Sequence, residues 1–261
     1  EGLLHWEHFT IRDNLAISEE RRKQIEKQYD PNSVWYRRDI QGMRCVAEGL
    51  IYQSFADQPR KRMITKQEFE LIRPSIIKIE CGVDFGGNIS KHTFVANAYT
   101  TFYKDKICLK SVRIKDECNP DQLNKLFVNF CNEIYNKYSR GFDTKFDNAE
   151  PVLARGLSSA AIQNHCHTEL KPAFKLPILQ RIRTTETLLS QNRIWYLEGQ
   201  CETYVEAMCN AQWNPKKPDE RLDNGTSDID TLDADEYSFE GHIKDLMAQS
   251  ESLVAKILKK E

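Results

Sequence analysis

Four aspartates stand where hydrolytic chemistry can be assembled. Asp84 lies in Gly82-Val83-Asp84-Phe85-Gly86, Asp147 in Lys145-Phe146-Asp147-Asn148, and Asp230 and Asp233 in Asp228-Ile229-Asp230-Thr231-Leu232-Asp233-Ala234. The first two follow short apolar, strand-like runs, and the i, i+3 spacing of the other two puts them on one face of a helix. Strand ends of an open α/β sheet are where ligand sites collect. Carboxylates drawn together there repel one another unless a cation sits between them. Mg²⁺ and Mn²⁺ prefer oxygen ligands, and two such ions ~3.5–4 Å apart activate a water and stabilise the leaving oxygen of a phosphodiester. Each aspartate alone has an ordinary alternative, as a turn former, a helix cap or a partner of the helix dipole. The segment lacks the D-x-D-x-D-G pattern of an EF-hand. The joint arrangement is what points to metal-dependent hydrolysis.

The elements that must position these residues are legible from about Ile79. Ile79 to Phe85 reads as a buried strand ending in the Gly86-Gly87 turn, and His92 to Thr101 and Lys106 to Lys115 read as two more strands of a meander. Asn119 and Pro120 fit the N-cap and first position of a helix whose apolar residues Leu123, Leu126, Phe127, Phe130, Ile134 and Tyr138 follow the 3.6 period. Gly141 is placed at its end, and Phe142 to Asp147 returns as a strand. If the first and fourth of these strands are neighbours, Asp84 and Asp147 meet. A helix from Ala149 to Asn164, a strand from Leu170 to Leu176, a helix from Pro177, a strand from Arg193 to Leu197 and a helix from Glu202 to Ala211 follow. A final interrupted helical region runs from Ile229 to Lys260. The order β-β-β-α-β-α-β-α-β-α-α indicates an α/β or α+β fold with a mixed central β-sheet flanked by helices on both faces.

The first 78 residues have a different texture. Ser18 caps a charged helix over residues 18–30, Gly49 to Tyr52 is a short strand-like run, and Arg60-Lys61-Arg62 forms a basic cluster. This region reads as an appendage or linker without a core of its own.

The net charge of −2 conceals an asymmetry: residues 219–240 hold nine acidic residues and one basic one, a local charge of −8, which leaves +6 elsewhere. A basic body beside an acidic segment suits a protein that touches a polyanion while holding a cation. With 40% hydrophobic residues the chain can bury a core, no apolar run approaches the ~20 residues of a membrane span, and Glu1 to Trp6 has no signal-peptide character. A soluble, intracellular protein is expected. None of the eight cysteines stands in a CxxC pair, so reduced thiols are expected rather than a zinc ribbon or a disulfide framework. His165-Cys166-His167 has no further cluster to complete a tetrahedral zinc set. Arg181, Arg183, Lys171 and Lys175 suit either a DNA backbone or a solvated face, and the DNA-contacting residues stay unknown. Trp195 reads as core.

Taken in order, several stretches resemble the C-terminal part of tailed-phage large terminase subunits of the PBSX-like group. They are Trp35 to Gly42 (WYRRDIQG), Ala47 to Tyr52 (AEGLIY), Gly82 to Gly87 (GVDFGG), Phe146 to Pro151 (FDNAEP) and Asp230 to Tyr237 (DTLDADEY), and His8 to Asn14 resembles the family's stretch leading out of its ATPase domain. The resemblance implies a ribonuclease-H-like fold and a metal-dependent endonuclease, an endodeoxyribonuclease that cuts concatemeric viral DNA during genome packaging into proheads. It implies Mn²⁺ or Mg²⁺, as two ions, held by Asp84 as first-strand ligand, Asp147 as second, and Asp233 with Asp230 as the third contribution. Many relatives have a histidine at the position of Asp230. Asp228 and Asp235 are weaker candidates. The implied partners are double-stranded DNA and, in the full-length context, the portal protein and small terminase subunit, in the host cytoplasm with no membrane. The GxxxxGK[ST] phosphate loop of the family's ATPase is missing, so no ATP hydrolysis is expected from this chain. Residues 1–78 would be the linker from the ATPase side and 79–261 the nuclease domain. Alternatives are another ribonuclease-H-like nuclease, such as a resolvase or a hybrid ribonuclease, and a non-catalytic module that docks on DNA or the portal.

Overall fold

The computed structural model describes residues 7–45, 48–86, 91–114, 117–217, 219–224 and 228–260. Glu1 to Trp6, Ala47, the second glycine of Gly86-Gly87 and Lys115 lie outside them. The β-rich runs form a seven-stranded sheet in the order β1-β7-β4-β3-β2-β5-β6. The strands are β1 (Met63–Ile64), β2 (Ile76–Asp84), β3 (Thr93–Thr100), β4 (Lys106–Arg113), β5 (Phe142–Phe146), β6 (Thr168–Pro172) and β7 (Ile194–Leu197). The meander β2-β3-β4 is antiparallel, while β5 runs parallel to β2, β6 to β5, β7 to β4 and β1 to β7. The mixed sheet is the expected one. The first and fourth expected strands, β2 and β5, are indeed neighbours.

Strand alternation assigns the two faces. Val83 pairs with Phe94, whose ring lies 5.5 Å from those of Phe127 and Phe130 on α4 (Pro120–Tyr138), so α4 covers that face. Gly82 and Asp84 point the other way, toward α8 (Ile229–Phe239). A Cβ on Gly82 would come within 1.7 Å of the Ala234 carbonyl oxygen, so only glycine lets α8 approach this closely. Asn119 caps α4 with Pro120 in its first turn, as the sequence indicates. The helix ends instead at Ser139 (φ 51°), two residues before Gly141, and Leu126 of the expected apolar stripe is exposed.

A buried polar tie fixes α8 to the sheet. The Lys106 ammonium and the Asp235 carboxylate are both buried and bonded, and Asn97 Nδ2 donates to Asp235 Oδ1 (2.8 Å) and Ser238 Oγ (2.7 Å). Tyr99 adds a bond to the Ser238 carbonyl (3.0 Å). Asp235 therefore points away from the other carboxylates of its helix.

The remaining helices are α1 (Glu19–Glu26), α2 (Gln53–Asp57), α3 (Lys66–Ile72), α5 (Pro151–Gln163), α6 (Ile178–Ser190), α7 (Glu202–Asn210), α9 (Ile243–Met247) and α10 (Leu253–Leu258). Ser18 caps α1. Leu50 makes only an isolated bridge to Gln212, so the strand-like run at Gly49 to Tyr52 becomes a turn leading into α2. Before residue 78, Val34, Trp35, Tyr52, Phe55, Ile64, Phe69 and Ile72 share the apolar cluster of the sheet, and β1 pairs with β7 at its edge. That contribution escapes a reading by hydrophobic period because it comes as single anchors between polar residues. At the sheet's β1 end, the Lys260 ammonium reaches the Met63 carbonyl (3.0 Å).

All eight cysteines are free, four of them buried. His165 and His167 lie in the turn before β6, with His167 stacked on Tyr135 at 3.6 Å. Trp195 is buried and donates from Nε1 to Asp105 (3.1 Å). Among the described residues no helix is long and apolar enough to cross a membrane.

Candidate metal centre

Asp84 ends β2, and its parallel neighbour β5 ends one step earlier, with Val83 opposite Phe146. The next residue of each strand is an aspartate, so Asp84 and Asp147 leave the sheet side by side. Asp230 and Asp233 arrive from the first turns of α8, which Gly82 admits onto the same face. Asp228 caps that helix by accepting from Thr231 N (3.1 Å) and Thr231 Oγ1, and it faces Arg113 (3.5 Å). With Asp235 held by Lys106, both weaker candidates have structural duties.

Asp84 feels the charge of each of the other three expected residues. Burial pushes the Asp84 carboxyl up, and the charges of Asp233, Asp230 and Asp147 push it further, to about 8; a hydrogen bond from Tyr237 opposes them. Asp84 forms no ion pair among the described residues, so its neighbours are acids without a compensating cation of its own. Burial and the charges of Asp233, Asp84 and Asp147 push the Tyr237 hydroxyl well above its usual range, against a smaller opposing effect of Arg181. Asp230 is also raised, first by burial. Its Oδ2 accepts from Lys91 N (2.6 Å) and its carbonyl from Thr93 Oγ1 (2.8 Å), which ties the start of α8 to the start of β3.

Basic residues hold the other two carboxylates. Asp233 Oδ1 accepts from Arg181 (3.0 Å) and Arg221 (3.3 Å), and the same guanidinium groups bind the buried Glu236, Arg181 at 3.0 Å. Burial works against the charge of Arg221, but Glu236, Tyr52 and Asp233 together outweigh it and raise the guanidinium further above its usual range. Asp147 Oδ1 accepts from Ala149 N (2.8 Å), a turn bond, and from the Lys175 ammonium. Among the described residues no three acidic, histidine or cysteine side chains stand grouped as a ready metal cage. The donor set nevertheless fits a hard divalent cation: all-oxygen ligands, mutually repelling, with one carboxyl driven to hold its proton.

The basic residues that the sequence left open are thereby placed. Lys175 and Arg181 act on Asp147 and Asp233, Arg183 lies over the Trp35 ring at 4.0 Å, and Lys171 pairs with Asp143 (3.2 Å) and Glu169 (2.8 Å). Sequence reasoning missed Tyr237, Glu236, Arg221 and Glu240 as parts of the site. Tyr237 and Glu236 lie inside the Asp230–Tyr237 motif, which was their available signal, and Arg221 is the one basic residue of the acidic segment.

No protein-family model and no curated protein matches the sequence. Solved structures do. Two crystal forms of the large terminase from a thermophilic bacteriophage match at TM-scores of 0.67 and 0.65, each at 20% identity. They align over 90% and 89% of this chain and 55% and 53% of theirs, so the chain spans about half the length of that terminase. The P22 large terminase nuclease domain matches at TM-score 0.54 and 13% identity, over 81% of this chain and 98% of the domain. The fold is thus the ribonuclease-H-like fold of terminase nuclease domains.

Proposed function

We propose that this chain is the nuclease part of a terminase large subunit, a metal-dependent endodeoxyribonuclease that cleaves concatemeric viral DNA during packaging. The observation that carries this reading is the placement of four carboxylates: Asp84 and Asp147 follow paired residues at the ends of the parallel strands β2 and β5, and Gly82 admits α8, with Asp230 and Asp233, onto the same face, where the three neighbours help burial raise the Asp84 carboxyl to about 8. Such a group is poorly accommodated until a cation arrives. Asp84, Asp147 and Asp233 would hold Mn²⁺ or Mg²⁺, with two ions as the fuller reading, and Asp230, which accepts from Lys91 N, would join them at the metal directly or one layer behind it. When bound, the metal supplies an activated water and charge stabilisation at the leaving oxygen. The protein's own residues set the stage: Arg181 and Arg221 aim Asp233 by donating to its Oδ1, and Tyr237 steadies Asp84 by donating to it.

All four candidate ligands fall within residues 79–261, so we assign the nuclease function to that part and a linking and packing role to residues 1–78. No phosphate-loop motif is present in this sequence, so ATP hydrolysis is assigned elsewhere. Double-stranded DNA is the substrate; the portal protein and small terminase subunit are the partners in the full-length context, in the host cytoplasm. The test is plasmid nicking with Mn²⁺, Mg²⁺, Ca²⁺ or EDTA by the native chain, Asp84→Asn and Asp147→Asn, with an RNA–DNA hybrid as a second substrate. Cleavage of duplex DNA with Mn²⁺ or Mg²⁺ that both substitutions abolish is expected. Equal cutting by all three proteins would sink the site, and preference for the hybrid would reassign the substrate.

A further inference from the structure

Lys175 lies in the loop 173–177 between β6 and α6, which Ala173 seats beside the end of β5 by donating to the Phe146 carbonyl (2.9 Å). Its φ of 51° is left-handed, a conformation that costs any residue with a side chain and persists only where the surroundings impose it. Here Glu240 imposes it. The buried Glu240 carboxylate accepts from Lys175 N (2.9 Å) and from Leu176 N (3.0 Å). Arg181 Nε, 3.5 Å from Glu240 Oε1, balances that carboxylate, and Arg181 also holds Asp233. The turn is therefore fixed to the same guanidinium that aims one candidate metal ligand, and it delivers an ammonium to another, Asp147. A solvated lysine in a casual surface pair has no need of a constrained backbone.

We propose that Lys175 is the resident cation of Asp147 in the metal-free protein, competing with the divalent ion for that carboxylate, and that Glu240 is the positioning residue that keeps it there. This rests on the reading of Asp147 as a metal ligand. The ammonium is single-charged and partly exposed, so a divalent ion displaces it, while the Glu240-held backbone keeps the displaced side chain at the rim of the centre.

The experiment is calorimetric titration of the metal-free, DNA-free chain with Mn²⁺ at low salt, with circular dichroism confirming that each variant is folded. Lys175→Met should bind Mn²⁺ roughly two- to fivefold more tightly than the native chain, the range expected for removing one exposed competing ion pair. Lys175→Arg should keep native affinity, Glu240→Gln should tighten it by less, and the effect of Lys175→Met should vanish in an Asp147→Asn background. Native binding that a folded Lys175→Met leaves unchanged or weakens overturns the role of the lysine and leaves the nuclease reading standing. Glu240→Gln with native affinity removes the positioning role. Asp147→Asn binding as tightly as native, or no binding by either native or Lys175→Met, refutes both readings.

Discussion

Breaking the tie between Lys106 and Asp235 should be far more damaging than removing it whole. Both side chains are buried, at 0% and 2% exposure, and the ammonium also lies 5.1 Å and 5.2 Å from the ring centroids of Tyr204 and Phe239. Lys106→Met leaves the Asp235 carboxylate buried with only Asn97 Nδ2 and its own helix for company. Losing one partner of a buried ion pair costs about 3–5 kcal/mol, whereas apolar replacement of both is close to neutral. Urea unfolding followed by circular dichroism should therefore show a loss of about 3 kcal/mol or more for Lys106→Met, and most of it regained in Lys106→Met/Asp235→Leu. Because α8 carries Asp230 and Asp233, Mn²⁺ affinity should fall in the single variant and recover in the double. A single-variant loss below about 1 kcal/mol, the scale of an exposed pair, would refute the assignment of this pair as the anchor of α8. So would a double variant as unstable as the sum of its parts.

Gly82→Ala should separate α8 from β2 and weaken Mn²⁺ binding while the rest of the sheet persists, a change that hydrogen exchange would localise to α8; unaltered affinity would count against it. The pH response of the metal-free chain follows from Asp84. Its unfolded carboxyl releases a proton near the ordinary value of 3.8 and its folded one near about 8, so the folded state binds more protons between them and stability declines as pH rises through that window. Melting in EDTA should show that decline, Asp84→Asn should shallow it, and Mn²⁺ at pH 8 should offset it; equal slopes for native and Asp84→Asn would contradict the shift.

The meander, the capped α4 and the strands β2 and β5 were readable because each is announced locally, by β-rich runs, by Asn119-Pro120 and by apolar period, while the pairing of β2 with β5 is a tertiary fact. The four candidate aspartates could be placed from sequence because they stand at the ends of those elements and at the start of α8. Residues before Ile76 were harder, since Trp35, Phe55 and Ile64 join the core as isolated anchors whose partners lie more than a hundred residues away. Arg181, Arg221, Glu236 and Glu240 were illegible for a related reason. A charged residue looks solvated in sequence, and only tertiary structure shows that two arginines and two glutamates neutralise one another in the interior beside Asp233.

The two margins of the sheet bear on how such a chain can assemble. At one end β1 is two residues long, with a lysine already taking the Met63 carbonyl. At the other, β6 runs Thr-Glu-Leu-Lys-Pro, so charge and a proline face any incoming strand. Short, charged or proline-bearing edges resist edge-to-edge pairing. A second copy or another protein is thereby discouraged from extending the sheet, so contact with it is expected through the helices and loops that cover the two faces and the strand ends.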